Sequence, residues 1–255
     1  MTALDTVRAL YTRTWIKTLR RPVVLTFSFA QPLMWMLLFG FLFERYQLDS
    51  LPPDIGYIDF LVPGVCGMTV MFGASQSGIG WIRDLQVGFL QRLLHTPQSH
   101  HAILIGKILA DVSRLILQAL VVLSLGMLLG AEVHTSASSL MVGLCILAAF
   151  AGAFSCLSCA IAFATRAQEA MAVFVHVINM PLLFTSTALV PSKQMPEWLA
   201  GVSKWNPLTT TVDAWRDAVL FAETPRSADL LLMIGYLAVA YMIAASLMRR
   251  CRDAS

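Results

Sequence analysis

Long stretches without charged residues recur along the chain, and charged side chains close most of them. A helix that crosses a hydrocarbon core of roughly 30 Å needs about 20 apolar residues, at a rise of about 1.5 Å per residue. The pattern therefore predicts six transmembrane helices within the 255 residues. Their predicted bounds are residues 23–43, 60–82, 105–130, 140–164, 170–190 and 230–248.

The segment before the first span, residues 1–21, has an amphipathic pattern. Its apolar and aromatic residues fall at helical spacing, while most of its basic residues lie elsewhere on the helical wheel. This pattern predicts an interfacial helix on the anionic inner surface of the membrane, although a basic anchor that only orients the first span would carry the same charges. The residues of the predicted apolar face are Leu4, Val7, Tyr11, Trp15 and Thr18.

Residues 83–101, between the second and third spans, contain a second amphipathic pattern. Leu85, Phe89 and Leu93, together with Leu90 and Leu94, form an apolar stripe at helical spacing. A short helix of this kind suits docking into a groove of a soluble partner. A helix resting on the bilayer surface would show the same stripe, so periodicity leaves both interpretations open.

Residues 191–229, between the fifth and sixth spans, predict a short outer helix that begins after Asn206-Pro207. Asparagine is a favourable helix cap, and proline is well placed in the first helical turn. We expect this helix to be interfacial or partly re-entrant, since its charged residues would lie too deep in a full span. Its predicted apolar face consists of Leu208, Val212, Trp215 and Val219.

Composition supports the membrane assignment. Only 13% of the residues are charged and 57% are hydrophobic, whereas a soluble domain carries roughly 25% charged residues. There are too few charges to cover a soluble globule, so the excess apolar surface must face lipid. The sequence therefore predicts an all-α membrane protein with a single transmembrane domain over residues 1–255.

The placement of Lys and Arg predicts the orientation. Six spans put both termini on one side of the membrane, and this side has twelve basic residues against five on the other. Both termini are therefore expected in the cytoplasm, in a multi-pass protein of the cell (inner) membrane. The formal net charge of +3 is too slight to predict a nucleic-acid partner.

Polar residues inside the spans are the usual indicators of a transport pathway. In the third span Lys107, Asp111, Arg114 and Gln118 share one helical face. We expect a structural ion pair between Lys107 and Asp111, which lie four residues apart, with a role in transport as the alternative.

The first and fifth spans each combine a proline with uncharged polar residues. Proline frees a backbone carbonyl, which is tolerated in a membrane helix where a neighbouring helix or a wet cavity satisfies it. Helix packing and a substrate path explain this pattern equally well. The candidate path residues are Phe27, Gln31, Trp35, His176, Asn179 and Phe184.

Sequence patterns that carry chemistry are scarce. No GxxxxGK[ST] phosphate loop occurs, so the chain is not expected to bind ATP in that way. Cys156 and Cys159 have CxxC spacing, but they lie among small residues typical of helix packing. No bound cofactor, metal site or catalytic residue is predicted, and we expect a transport subunit rather than an enzyme.

Several short motifs follow one another in an order that resembles a known family. They are Phe60-Leu61-Val62-Pro63-Gly64, then Gly88-Phe89-Leu90-Gln91-Arg92-Leu93 with Thr96-Pro97, then Gly106-Lys107, the segment from Pro191 to Pro196, and Asn206-Pro207-Leu208-Thr209 with Val212-Asp213 and Arg216. In these motifs the chain is similar to the membrane subunit of type-2 ABC exporters, which include drug-resistance, lipo-oligosaccharide and polysaccharide export permeases. The similarity covers nearly the whole chain.

The resemblance implies a separate P-loop ATPase subunit that binds ATP and Mg. It also implies a second permease copy in a 2+2 complex, and we expect the two permease copies to be a homodimer of this chain. It implies that spans one and five face the path between the copies and that residues 84–97 form a coupling helix on the ATPase. The implied coupling residues are Asp84, Gly88, Phe89, Leu90, Gln91, Arg92, Leu93 and Pro97.

The function expected on this basis is ATP-driven export of an amphipathic, lipid-linked or glycosylated compound or drug. An ATP-independent secondary carrier is the alternative, with Lys107, Asp111 and His176 as a proton route. A membrane-embedded enzyme that uses Cys156, Cys159 or His176 is a third class.

Overall fold

The computed structural model describes residues 2–20, 22–43, 55–94, 96 and 98–253, and all regular secondary structure in these residues is helical. A π-helical turn, Phe174–Ile178, lies between α8 and α9, and a 3₁₀ turn, Ser192–Gln194, precedes α10. The α-helices are α1 Ala3–Leu19, α2 Pro22–Leu42, α3 Tyr57–Ser75, α4 Ser77–Gln86, α5 Phe89–Leu94, α6 His100–Leu128, α7 Ala137–Thr165, α8 Gln168–Val173, α9 Asn179–Phe184, α10 Glu197–Ser203, α11 Pro207–Leu220 and α12 Ser227–Asp253.

Four helical segments within the described residues are long and apolar enough to cross a membrane. The segments that correspond to the first and fifth predicted spans are shorter apolar helices, Ser28–Leu42 and Gln168–Phe184. The all-α membrane class is therefore established, while the count of six spans stays a prediction. The four long segments are Tyr57–Gln86, His100–Leu128, Ala137–Thr165 and Ser227–Cys251.

The fifth predicted span, residues 170–190, is interrupted and its helix ends early, at Phe184. The π-helical turn lies directly before the turn that contains Pro181. Proline has no N–H to donate to the carbonyl four residues earlier, and an irregular turn relieves the resulting conflict. The interruption therefore has a local cause in the sequence.

The second predicted span is broken at Gln76, between α3 and α4. Ser158 of α7 satisfies the backbone at this break, because its hydroxyl donates to the Ser75 carbonyl oxygen and accepts the Gly78 N–H at 2.8 Å. A Cβ atom at Gly78 would lie 2.6 Å from the Ser158 carbonyl oxygen, so only glycine permits this approach. Ser158, one of the small residues of α7, thus stabilises the packing of α4 on α7.

Helix α3 is the central element of the bundle, and α12 is peripheral. In the helical segment that contains α3, 89% of the most apolar 18-residue stretch is buried inside the protein. The corresponding share for α12 is 17%. Apolar side chains such as Leu231, Val239 and Met242 remain exposed on α12. Exposed apolar surface of this extent suits contact with lipid rather than with water.

Helix α1 packs along the first half of α6. A Cβ atom at Gly106 would lie 2.9 Å from the Val7 carbonyl oxygen, and the Trp15 indole donates a 3.0 Å hydrogen bond to Ser113 Oγ. The buried face of α1 is offset from the predicted one, since Thr6 and Leu10 are buried whereas Leu4 is 79% exposed. Contact with α6, which the helical wheel of α1 does not show, sets this face.

Candidate functional site

The carboxylate of Asp84, at the end of α4, binds three cationic side chains. Arg13 donates two hydrogen bonds to it, at 3.0 and 3.2 Å, and Lys17 Nζ lies 2.8 Å from Oδ1. Lys107 Nζ lies 3.4 Å from Oδ2. The Asp84 side chain is only 7% exposed, so one buried carboxylate joins α1, α4 and α6.

This arrangement differs from the ion pair expected between Lys107 and Asp111. The Lys107 ammonium pairs with Asp84 and lies 3.9 Å from the centroid of the Trp81 ring. Asp111 instead accepts a hydrogen bond from Ser77. The helix break before Ser77 brings Ser77 and Asp84 of α4 to the polar face of α6. These tertiary contacts supply Lys107 and Asp111 with partners that the spacing within α6 could not reveal.

The segment after Asp84 forms a sharp corner. Helix α4 ends at Gln86, Gly88 has a left-handed backbone with φ of +67°, and α5 follows from Phe89. Glycine adopts this conformation without the steric cost that a Cβ atom imposes. The Arg13 guanidinium lies 3.6 Å from the centroid of the Phe89 ring, so α1 also holds the start of α5.

The apolar stripe of this segment contributes to the chain's own core. Leu90 is 1% exposed and Leu94 is 4% exposed, while Phe89 and Leu93 are partly buried against the same cluster. The exposed residues of the corner are therefore mainly polar. Pro97, another predicted coupling residue, lies outside the described residues. We call the exposed set Gln86, Val87, Gln91 and Arg92 the corner surface.

A cavity of about 710 Å³ lies between α1, α2, α3, α4 and α6. Lys107, Asp111, Arg114 and Gln118 all line it, as their shared helical face predicts. From Lys107 to Gln118 the cavity follows α6 for about 16 Å, roughly half of a hydrocarbon core. Gln118 closes its deep end by donating a 3.0 Å hydrogen bond to the Ser28 carbonyl oxygen.

The candidate path residues of α2 have different environments. Gln31 is exposed and lines the cavity. Trp35 is half-buried and stacks on Phe39, with ring centroids 5.1 Å apart. The side chain of Phe27 lies outside the described part of the structure.

The candidates near Pro181 are not among the residues that line this cavity. His176 is exposed, with Nδ1 2.9 Å from the Ala172 carbonyl oxygen, and Phe184 is 59% exposed. Asn179 is buried and donates a 2.7 Å hydrogen bond to Ser75 Oγ. Among the path candidates whose side chains the structure describes, Gln31 alone lines this cavity, and His176 is not among the residues that line it.

At the end of the bundle away from Asp84, the structure brings together motifs that are distant in sequence. A Cβ atom at Gly64 would lie 1.9 Å from the Ala188 carbonyl oxygen, so glycine allows the chain to cross over α3. Further along α3, a Cβ atom at Gly67 would lie 2.5 Å from Val212 Cγ2. The FLVPG motif, the segment after α9 and α11 thus form one packed unit.

Arg216 of α11 holds this unit together. Its guanidinium donates hydrogen bonds to Asp213 at 2.8 Å and to the carbonyl oxygens of Phe60 and Thr187, both at 3.2 Å. Burial lowers the pKa of Arg216 from its ordinary value, and the Asp213 carboxylate opposes that shift. The predicted apolar face of α11 is buried, from Leu208 to Val219. The sequence does not predict that these distant motifs pack together. Their order along the chain is the one sequence feature that hints at it.

These features define a multi-helical membrane protein with a polar cavity between its helices. Residues 5–220 match the sequence profile described as ABC-2 type transporter, so the chain belongs to this family.

Individual relatives agree with the family assignment. The chain is 32% identical over 214 residues to a putative transport permease ycf38 of Pyropia yezoensis, which covers 84% of this chain and 73% of the relative. A ycf38 permease of Cyanophora paradoxa is 32% identical over 205 residues, 80% of this chain and 70% of the relative. The daunorubicin resistance ABC transporter permease protein DrrB1 of Streptomyces coeruleorubidus is 26% identical over 196 residues, 77% of this chain and 68% of the relative.

Proposed function

We propose that this chain is the membrane subunit of an ATP-driven exporter. In this proposal six spans cross the cell (inner) membrane, both termini are cytoplasmic, and an amphipathic, lipid-linked or glycosylated compound or drug moves outward. A separate P-loop ATPase binds ATP and Mg and supplies the energy. The observation that carries the proposal is the connection of the exposed corner surface to the helices around the cavity through Asp84.

The corner surface is the proposed docking site of the ATPase. Gln91 and Arg92 are exposed, and Val87 is 66% exposed. The opposite side of the corner, with Leu90 and Leu94, is buried in the core. A partner that binds the exposed side would therefore meet a rigid element of the bundle.

The Asp84 cluster provides a route for mechanical coupling. Asp84 lies next to the corner and binds Arg13 and Lys17 of α1 and Lys107 of α6. Displacement of the corner would therefore act on both helices, and both line the cavity. ATP would change the cavity only if the ATPase binds its two conformations unequally.

A second copy of the chain is proposed to cover the exposed faces of α2 and of the helix from α8 to α9. Gln31 and His176 are exposed there beside apolar residues such as Met34 and Val177. Polar side chains on a lipid-facing surface are costly, and a neighbouring copy or a wet path would satisfy them. This supports the expected placement of spans one and five around the substrate path.

Copurification tests the docking site. The chain would be coexpressed with a candidate P-loop ATPase from the same organism, and the amount of bound ATPase would be measured. We expect the V87D/R92E variant to lose most of it. Lys204→Glu is the matched control, because it reverses one exposed charge on the far side of the bundle, after α10. Full ATPase binding by V87D/R92E would contradict the proposal.

Transport assays separate the exporter from a secondary carrier. In vesicles that contain both subunits, export should require ATP and persist with an uncoupler. Transport by the permease alone that collapses with an uncoupler would favour the secondary carrier.

A further inference from the structure

The cavity between α1, α2, α3, α4 and α6 has a strong excess of positive charge. Five cationic side chains line it, against the two carboxylates of Asp84 and Asp111. The formal charge of its lining is therefore +3, which equals the formal net charge of the whole chain. The cations are Arg13, Lys17, Arg83, Lys107 and Arg114.

The carboxylates cannot compensate these cations. Asp84 is shared by three of them, and Asp111 accepts a hydrogen bond from Ser77. Neither Arg83 nor Arg114 forms an ion pair with a carboxylate of the described residues. Within the described ranges, the Arg114 guanidinium forms one long hydrogen bond, 3.5 Å, to the Gly73 carbonyl oxygen. Most of its five N–H donors are thus left to bind an anion.

The position of these charges makes their compensation by an anion favourable. Lys107 is 7% exposed, and Arg114 lies seven residues further along α6, about 10 Å deeper. Charges removed from water interact more strongly than charges at a surface, because the surroundings screen them less. A phosphate group matches this lining in particular, since its oxygens accept charge-assisted hydrogen bonds from both Arg and Lys.

Part of the remaining lining of the cavity is apolar, beside uncharged polar residues such as Thr69 and Gln76. Pro32 of α2 and Met68 and Phe72 of α3 face the space deeper than Lys107, and all three are buried. A volume of about 710 Å³ exceeds the needs of a free phosphate and falls within the range of ligand pockets, about 300–1,000 Å³. The combination suits a molecule with an anionic head and an apolar body.

We propose that this cavity binds the phosphate-bearing headgroup of an anionic amphiphile, with Lys17 and Arg114 as headgroup ligands. The headgroup belongs either to an anionic lipid of the bilayer or to a phosphorylated cargo. The second case narrows the substrate class and rests on the proposed export function, whereas the binding site itself does not.

The test measures binding by the purified full-length chain in neutral detergent, without ATPase or nucleotide. Native mass spectrometry would compare the affinities for phosphatidylglycerol and for phosphatidylcholine. We expect selective binding of phosphatidylglycerol, and about a tenfold loss of that affinity in each of the variants Lys17→Gln and Arg114→Gln, since each removes a charge-assisted hydrogen bond. Arg8→Gln is the matched control, because Arg8 is exposed on α1 and does not line the cavity.

Folding of each variant would be checked by its melting temperature in the same detergent. Lys17 has a half-exposed side chain, so K17Q keeps the test valid if R114Q does not fold. Equal binding of the two lipids, or equal losses in R8Q and the cavity variants, would overturn the proposal.

Competition with dodecyl phosphate distinguishes the two sources of the headgroup. Displacement of phosphatidylglycerol supports a site that also accepts a phosphorylated cargo, and selective lipid binding without displacement supports a lipid headgroup site. The binding experiment measures no transport. A failed transport assay would therefore count against the export function and would not change the lipid-binding result.

Discussion

The guanidinium of Arg216 lies 3.8 Å from the centroid of the Phe60 ring and donates a 3.2 Å hydrogen bond to the carbonyl oxygen of the same residue. Arg216 of α11 thus contacts both the ring and the backbone of Phe60, in the first turn of α3. The planar shape of the guanidinium allows this double contact, and the ammonium of lysine would not reproduce it.

Arg216→Lys should therefore destabilise the protein although it keeps the charge. Lysine would not make both hydrogen bonds to the carbonyl oxygens of Phe60 and Thr187, and a hydrogen bond from a charged group contributes about 1.5–3 kcal/mol. The melting temperature in detergent would measure this loss. Arg226→Lys is the control at an exposed arginine and should leave the melting temperature nearly unchanged. Equal melting temperatures for the two variants would refute a structural role of Arg216.

Gly64→Ala should prevent normal packing of the segment after α9. The new methyl group would lie 1.9 Å from the Ala188 carbonyl oxygen, so the backbone of one segment must move. Overpacking of this kind costs about 1–3 kcal/mol or more. We expect a marked loss of folded protein, measured as the monodisperse fraction after solubilisation.

Gly201→Ala is the control for this substitution. Gly201 lies within α10, and a Cβ atom there would meet nothing within 4 Å. Alanine favours a helix interior by up to about 1 kcal/mol relative to glycine, so this variant should be as stable as the wild type or more so. A fully folded Gly64→Ala variant would contradict the close crossing.

A double-mutant cycle would identify the partner of Lys107. Lys107→Met and Asp84→Asn should show a coupling energy well above that of Lys107→Met with Asp111→Asn, because only Asp84 lies within ion-pair distance, at 3.4 Å. Asp84→Asn alone should be strongly destabilising, by about 3–5 kcal/mol, since it leaves cations near a buried site without their counter-charge. Free energies of unfolding in detergent would measure both quantities. Larger coupling with Asp111 would restore the ion pair expected from sequence.

Ser158→Ala should weaken the junction between α3 and α4. It removes the hydroxyl that binds the Ser75 carbonyl oxygen and the Gly78 N–H, which leaves buried backbone groups unpaired at a cost of about 1–3 kcal/mol. Hydrogen exchange of the amides around the break should accelerate. Ser246→Ala removes an exposed hydroxyl of α12 and should leave that exchange unchanged. Unaltered exchange in Ser158→Ala would show that the hydroxyl is dispensable.

The sequence alone determined the helical membrane class, since an uncharged stretch of sufficient length has few alternatives to a helix in or near a bilayer. It also determined that Lys107, Asp111, Arg114 and Gln118 share one face, because helical geometry places these positions together. The position of the π-helical turn beside Pro181 likewise has a local cause. These features depend on residues that are close in the chain.

Only the tertiary structure decided which groups meet between helices. The partners of Lys107, the offset face of α1 and the contact of Arg216 with Phe60 each join residues from different helices. Periodicity gives the direction of a side chain from its own helix axis and carries no information about the neighbour on that side. The polar cavity exists because the break at Gln76 and the packing of α1 on α6 bring charged residues of three helices together. None of these contacts can be read from a single helix.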